Sequence, residues 1–207
     1  MTTLTINDFT TESTSHAPDR IIPQKVGDLL WRPMLVMALL GFVTGFILSL
    51  VRASMISAGA DPLQIAAFGQ YVSAAMFFGF AAVFAAISFA IARILGEFRV
   101  GGASVQEATY SDIRILKMPG TAKAFIGLMA MAMMIIVAAV ALHVLAGVAI
   151  AAGDWSSVQA EQWTIWLEAA RRFGAALYLF SITLGLVTIA KVIRFQTFRI
   201  RQIADRS

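Results

Sequence analysis

One ionisable side chain lies deep inside an uncharged stretch of this chain. His143 stands about twenty positions into the run AFIGLMAMAMMIIVAAVALHVLAGVAIAA, Ala124 to Ala152, which contains no Asp, Glu, Lys or Arg. An imidazole can take up a proton, hold a metal or polarise a ligand, and at membrane depth such a group marks a candidate site. Its prospective companions are Arg52, Gln70, Tyr71, Glu168, Arg171, Arg172 and Tyr178, each in or beside another apolar stretch. Together these eight residues form a candidate ligand site or polar cluster. The chemistry they would serve is a proton or ion pathway, or a pocket for a quinone or a bound lipid. A plainer reading stands beside it. A lone histidine can simply bond across a helix pair, Glu168 and Arg172 are spaced as an i,i+4 ion pair, and Arg52, Arg171 and Arg172 can snorkel to lipid phosphates.

Other chemistry finds no residues to carry it. Bis-histidine haem needs two membrane histidines, and the second histidine, His16, lies in the polar N-terminal segment. Met129, Met131, Met133 and Met134 read as packing, since methionine in a helix mostly fills irregular gaps. There are no cysteines, which removes disulfides, thiolate metal sites and cysteine nucleophiles. No HExxH, GxSxG or acidic metal-binding motif occurs, so no enzyme, metal or cofactor is expected. The defining residues of dihaem cytochromes, tetraspanins and copper monooxygenase subunits are missing too.

The elements that must position His143 are four apolar stretches. Only 14% of the residues are charged, against roughly 25% in an average soluble domain. Each stretch meets the roughly 20 residues needed to cross a hydrocarbon core. The expected fold is therefore all-α: a polytopic membrane protein of four transmembrane helices. Span one covers about 33–54, with Pro33 in its first turn. Ala38, Gly41, Gly45, Ser49 and Arg52 share one face, and Gly41 with Gly45 makes a GxxxG pair that lets a backbone approach closely. Span two covers about 63–95, where Ala67, Ala74, Ala81 and Ser88 recur every seven residues. Span four covers about 173–193, its helix beginning upstream near Ala160. Arg171, Gly174, Tyr178, Ser181, Gly185 and Thr188 lie along one of its faces. Helix packing is thus assigned to Gly41, Gly45, Ala67, Ala74, Ala81, Gly174 and Gly185.

The segments between and around the spans set the rest. Residues 1–24 read as a disordered polar tail, 25–195 as the four-helix transmembrane domain and 196–207 as a basic cytoplasmic tail, in which span four continues as a basic helix. Ser104 to Leu116 reads as a short interfacial helix between helices two and three, ended by Pro119-Gly120, with Thr121 capping span three. Trp155, Trp163 and Trp166 make an interfacial belt before span four. The segments before span one, between spans two and three, and after span four hold three, five and five Lys or Arg. The other two connections hold only Arg52 and the Arg171–Arg172 pair. That asymmetry puts both termini in the cytoplasm, in a bacterial inner membrane. It also accounts for the net charge of +4 without nucleic acid.

The resulting expectation is a non-catalytic accessory or scaffold subunit of a larger inner-membrane complex. Its small-residue faces exceed what a plain bundle needs, and its partners are lipids and other membrane subunits, unlike chains or copies of itself. Two other classes remain open. One is a small oligomeric channel or transporter with its pathway past His143; the other is a membrane anchor binding quinone or lipid.

Overall fold

The computed structural model describes residues 11–14, 16, 18–109 and 113–204, without the side chains of 202 and 203. Its helices are α1 (Ile22–Ser57), α2 (Pro62–Ala108), α3 (Gly120–Ala151) and α4 (Ser157–Ala204). Two short strands, β1 (Thr11–Thr14) and β2 (Ile113–Leu116), accompany them. All four helices are long and apolar enough to cross a membrane, which is the architecture of an all-α integral membrane protein. α2 and α4 are the long ones, at 47 and 48 residues. At 1.5 Å per residue each measures about 70 Å, more than twice a hydrocarbon core of roughly 30 Å.

The helix ends are written in the local sequence. Gly59 (φ 68°) and Gly153 (φ 78°) take the left-handed conformation that ends α1 and α3. In each case paired backbone bonds close the last turn: Ala60 N to Met55 O at 3.0 Å, and Asp154 N to Ala149 O at 3.0 Å. Asp61 then caps α2, its Oδ1 accepting from Leu63 N at 3.0 Å, with Pro62 as the first helical residue. Ser156 caps α4 reciprocally with Gln159, whose Oε1 accepts from Ser156 N at 3.0 Å.

The chain divides into two compact units, and each helix contributes a segment to both. Unit 2 (Arg32–Ala86 and Leu128–Phe180) holds the α1–α2 and α3–α4 connections. Here α2 carries the neighbours. A Cβ at Gly41 of α1 would lie 2.8 Å from Gly79 Cα on α2, and one at Gly45 would lie 2.6 Å from Met76 Sδ. Against α3 and α4, Ala132, Ile136 and Tyr178 form a core with Ala81 and Phe84 packed on it. Gly174 belongs to the same seam, because a Cβ there would stand 2.6 Å from Ile136 Cγ1. A second cluster joins Ala67, Ile150 and Ala160.

Unit 1 is built from residues up to Trp31, Ile87–Gly127 and those from Ser181 onward. The start of α1 is clamped to α2 by ions: Arg20 reaches Asp28 at 3.1 Å and Glu97 at 2.7 Å, while Arg93 reaches Asp28 at 3.1 Å. α3 and α4 are stapled by Ser181 Oγ donating to Phe125 O (3.0 Å) and by a hydroxyl–hydroxyl hydrogen bond between Thr188 and Thr121 (2.9 Å). β1 and β2 pair antiparallel, Thr11 opposite Leu116 and Thr14 opposite Ile113. Ile113 and Ile115 point from the ladder onto Ala103 of α2.

Several expectations change. No separate helix covers Ser104–Leu116: α2 continues to Ala108, and Ile113–Leu116 is a strand. α2 runs through Gly101-Gly102 because Gly102 lies against Gln196 of α4, whose amide also donates to Phe98 O at 3.0 Å. That tertiary contact outweighs the roughly 1 kcal/mol that a helical glycine costs relative to alanine. Of the expected N-terminal tail, Thr11–Thr14 is strand and Ile22 opens α1, while residues 1–10, 15 and 17 lie outside the described residues. Pro33 sits inside α1, not in its first turn. Thr121 does not cap α3; Pro119 O accepts from Ala122 N and Lys123 N there. One reading does not change: residues 196–204, read as a basic helix, continue α4, while 205–207 lie outside the described residues.

Candidate functional site

The buried positions of α3 step along one stripe: Ala132, Ile136, Ala139, His143, Ala146 and Ile150. His143 is therefore on the inward face by the same three-and-four periodicity that buries its apolar neighbours. It is 1% exposed. On α2 the stripe Ala67, Gln70, Ala74 is buried likewise and brings Gln70 opposite the imidazole.

The two side chains bond directly. His143 Nδ1 lies 2.6 Å from Gln70 Oε1, and Gln70 Nε2 donates to Thr164 Oγ1 at 2.6 Å. Thr164 in turn donates to Ala160 O at 2.7 Å, one turn back along α4. Valence fixes the direction of this chain. The Gln70 oxygen can only accept, so Nδ1 carries the hydrogen, and Nε2 of the neutral ring is left with its lone pair. That Nε2 is buried without a hydrogen-bond partner among the described residues. The chain ties α3, α2 and α4 together by polar groups inside an otherwise apolar interface.

The other six sequence candidates lie in the same unit; Arg171 and Glu168 are near enough for their charges to act on the ring, and each of the six has contacts of its own. Tyr71 packs edge-on to Phe68 and lies against Gly147, where a Cβ would meet its ring at 2.6 Å. Arg52 leans over Gly69 and lines a cavity of about 380 Å³ with Gln70, Ser73, Glu161 and Thr164. Arg171 lays its guanidinium on the Phe77 ring, 3.6 Å from the centroid, and reaches Glu168 at 3.6 Å. Arg172 pairs with Glu168 on an exposed side of α4. Tyr178 is buried against Phe84, with its hydroxyl lacking a partner among the described residues. Buried Arg171 Nε shares that lack.

The packing residues behave as small faces should, but their partners are within the chain. Gly41, Gly45, Gly174 and Gly185 each sit where a Cβ would press on a neighbouring helix of the same molecule. Ala67 and Ala74 are buried, and Ala81 packs on the Tyr178 core. These faces are occupied by the bundle itself.

Sequence reasoning missed Thr164, Gln106 and Arg199. Thr164 had a signal, because Thr164, Arg171 and Tyr178 are spaced seven apart on α4. Gln106 is the polar hub of unit 1. It donates to Arg114 O at 3.3 Å and accepts from Arg114 N at 2.7 Å and Arg199 Nη2 at 2.8 Å, so it hooks β2 to α2 and α4. Nothing in the local pattern of residues 104–116 marks that role. No family model, no curated protein and no solved structure matches this chain.

Proposed function

We propose that this protein is a non-catalytic accessory or scaffold subunit of a larger complex in a bacterial inner membrane, with both termini in the cytoplasm. Helix length carries the reading. Once a core of roughly 30 Å is crossed, α2 and α4 each retain about half of their length. That surplus is divided between the two ends of each helix, and such extensions offer surfaces to protein partners. Charge supports the orientation: among the described residues, eleven of the fifteen Lys and Arg fall in unit 1, with the start of α1, the end of α2 and the end of α4. The β1–β2 ladder supports it as well, since strands pair only where both are on one side of a bilayer.

The test is isolation of the untagged protein in mild detergent, followed by sizing and mass spectrometry. Larger, unlike chains in fixed proportion are expected. A species made of this chain alone would overturn the scaffold reading. Transport past His143 stands second, on one observation: three buried polar atoms of unit 2 (His143 Nε2, Arg171 Nε and Tyr178 Oη) lack partners among the described residues. A homo-oligomer that passes protons in proteoliposomes would favour it.

A further inference from the structure

Unit 1 contains a cavity of about 420 Å³, within the range of ordinary ligand pockets. Its wall has two chemical halves. Leu95 of α2 with Val192 and Phe195 of α4 supply an apolar side. Arg99 of α2, Arg114 of β2, Lys117 of the β2–α3 connection and Lys123 of α3 supply a cationic one, against a single acid, Glu12 of β1. Among the described residues Arg99, Lys117 and Lys123 form no ion pair, so their charge is not neutralised by the helices around them.

The order of the two halves along the chain is informative. Leu95 and Val192 close the apolar runs of α2 and α4. Arg99 follows Leu95 by one turn, and Lys117 and Lys123 flank the entry to the apolar run of α3. The cations therefore stand at the level where an apolar run gives way to polar sequence, which is where a lipid carries its phosphate. Basic pockets between membrane helices at that level suit anionic headgroups. The Gln106 hub holds β2, with Arg114, in place over the cavity.

We propose that this cavity binds a phosphate-bearing anionic lipid, the headgroup held by Arg99, Arg114, Lys117 and Lys123 and the first part of an acyl chain lying on Leu95, Val192 and Phe195. The assignment goes beyond the scaffold reading and holds whether or not the protein has protein partners.

The full chain, purified in mild detergent, is titrated with phosphatidylglycerol, phosphatidylcholine and inorganic phosphate, with binding read by native mass spectrometry. Phosphatidylglycerol is expected to bind at least tenfold tighter than phosphatidylcholine. The combined variant Arg99→Gln, Lys117→Gln, Lys123→Gln should lose tenfold or more of that affinity. Lys25→Gln, Lys191→Gln, Arg194→Gln removes the same charge outside the cavity and should stay within twofold of wild type. Val192→Trp keeps every cation but fills the apolar side, and should also weaken lipid binding. Thermal melting verifies that each variant is folded; if the cationic triple is not, exposed Lys117→Gln alone should still cost about threefold. Equal affinity for the two lipids would overturn the proposal. So would an equal loss in the charge-matched control, full affinity in Val192→Trp, or saturation by inorganic phosphate with no preference for lipid.

Discussion

At the scale of the residue, His143 is the best-defined polar group in unit 2, and its surroundings suggest what removing it would do. The ring donates to Gln70, Gln70 donates to Thr164, and Thr164 donates to a backbone carbonyl. His143→Gln keeps a donor for Gln70 Oε1 and should change stability by less than about 1 kcal/mol. His143→Leu leaves that buried oxygen without its donor and should cost about 0.6–1.7 kcal/mol, between the mean and the maximum measured for hydrogen bonds between membrane helices. Thermal unfolding in detergent and the yield of the intact complex read both variants. Normal yield together with lost proton flux in both would move the weight to the transport reading. The candidacy of His143 was legible from depth alone. Of its partners, Gln70 was among the companions named from the sequence, but Thr164 was not, because Gln70 and Thr164 lie 94 residues apart and no local pattern joins them.

At the scale of the element, α1 illustrates how little a peripheral helix buries. Ala38, Gly41 and Gly45 are buried on it, while Leu39, Leu40, Val43, Phe46 and Ile47 are exposed on its other faces. The buried face is small because α2 approaches there backbone to backbone at Gly41 and Gly79. Gly41→Leu should therefore destabilise by about 1–3 kcal/mol through overpacking, and Val43→Leu by no more than about 0.5 kcal/mol. Unfolding midpoints of the two variants in the same detergent check this, and equal midpoints would refute the close contact. The GxxxG pair was readable from the sequence. Which helix fills it was not, since spacing shows a small face without showing the identity of the partner. The same limit explains the misread segment 104–116. Its apolar positions fit a helical face, but the strand Ile113–Leu116 is stabilised by Thr11–Thr14, about a hundred residues away.

At the scale of the whole molecule, the four crossings and the charge asymmetry make one prediction together. Reporters fused before Met1 and after Ser207 should both register cytoplasm, and reporters inserted at Gly59 or Ser157 should register the outer side. Termini on opposite faces would refute the proposed orientation. The number and rough limits of the apolar runs were plain from composition, because an uncharged run of some 20–25 residues has few alternatives to a membrane helix. The course of α4, from near Ala160 into a basic helical tail, was legible too, but the length of α2 was not. The extension of α2 past Leu95 carries Gly96, Gly101 and Gly102 and resembles a loop, and it is contacts such as Gln196 with Phe98 and Arg199 with Gln106 that keep it helical.

The β1–β2 ladder also sets an order of events during synthesis. β1 leaves the ribosome about a hundred residues ahead of β2. At about 5–20 residues per second, Thr11–Thr14 waits some 5–20 s for its partner, while α1 and α2 are made. During that interval the segment has no strand to pair with, and its backbone groups must be satisfied by water or by another chain. Translation of Ile113–Leu116 closes it. Any chain stopped short of those residues leaves Thr11–Thr14 without the partner that completes the ladder.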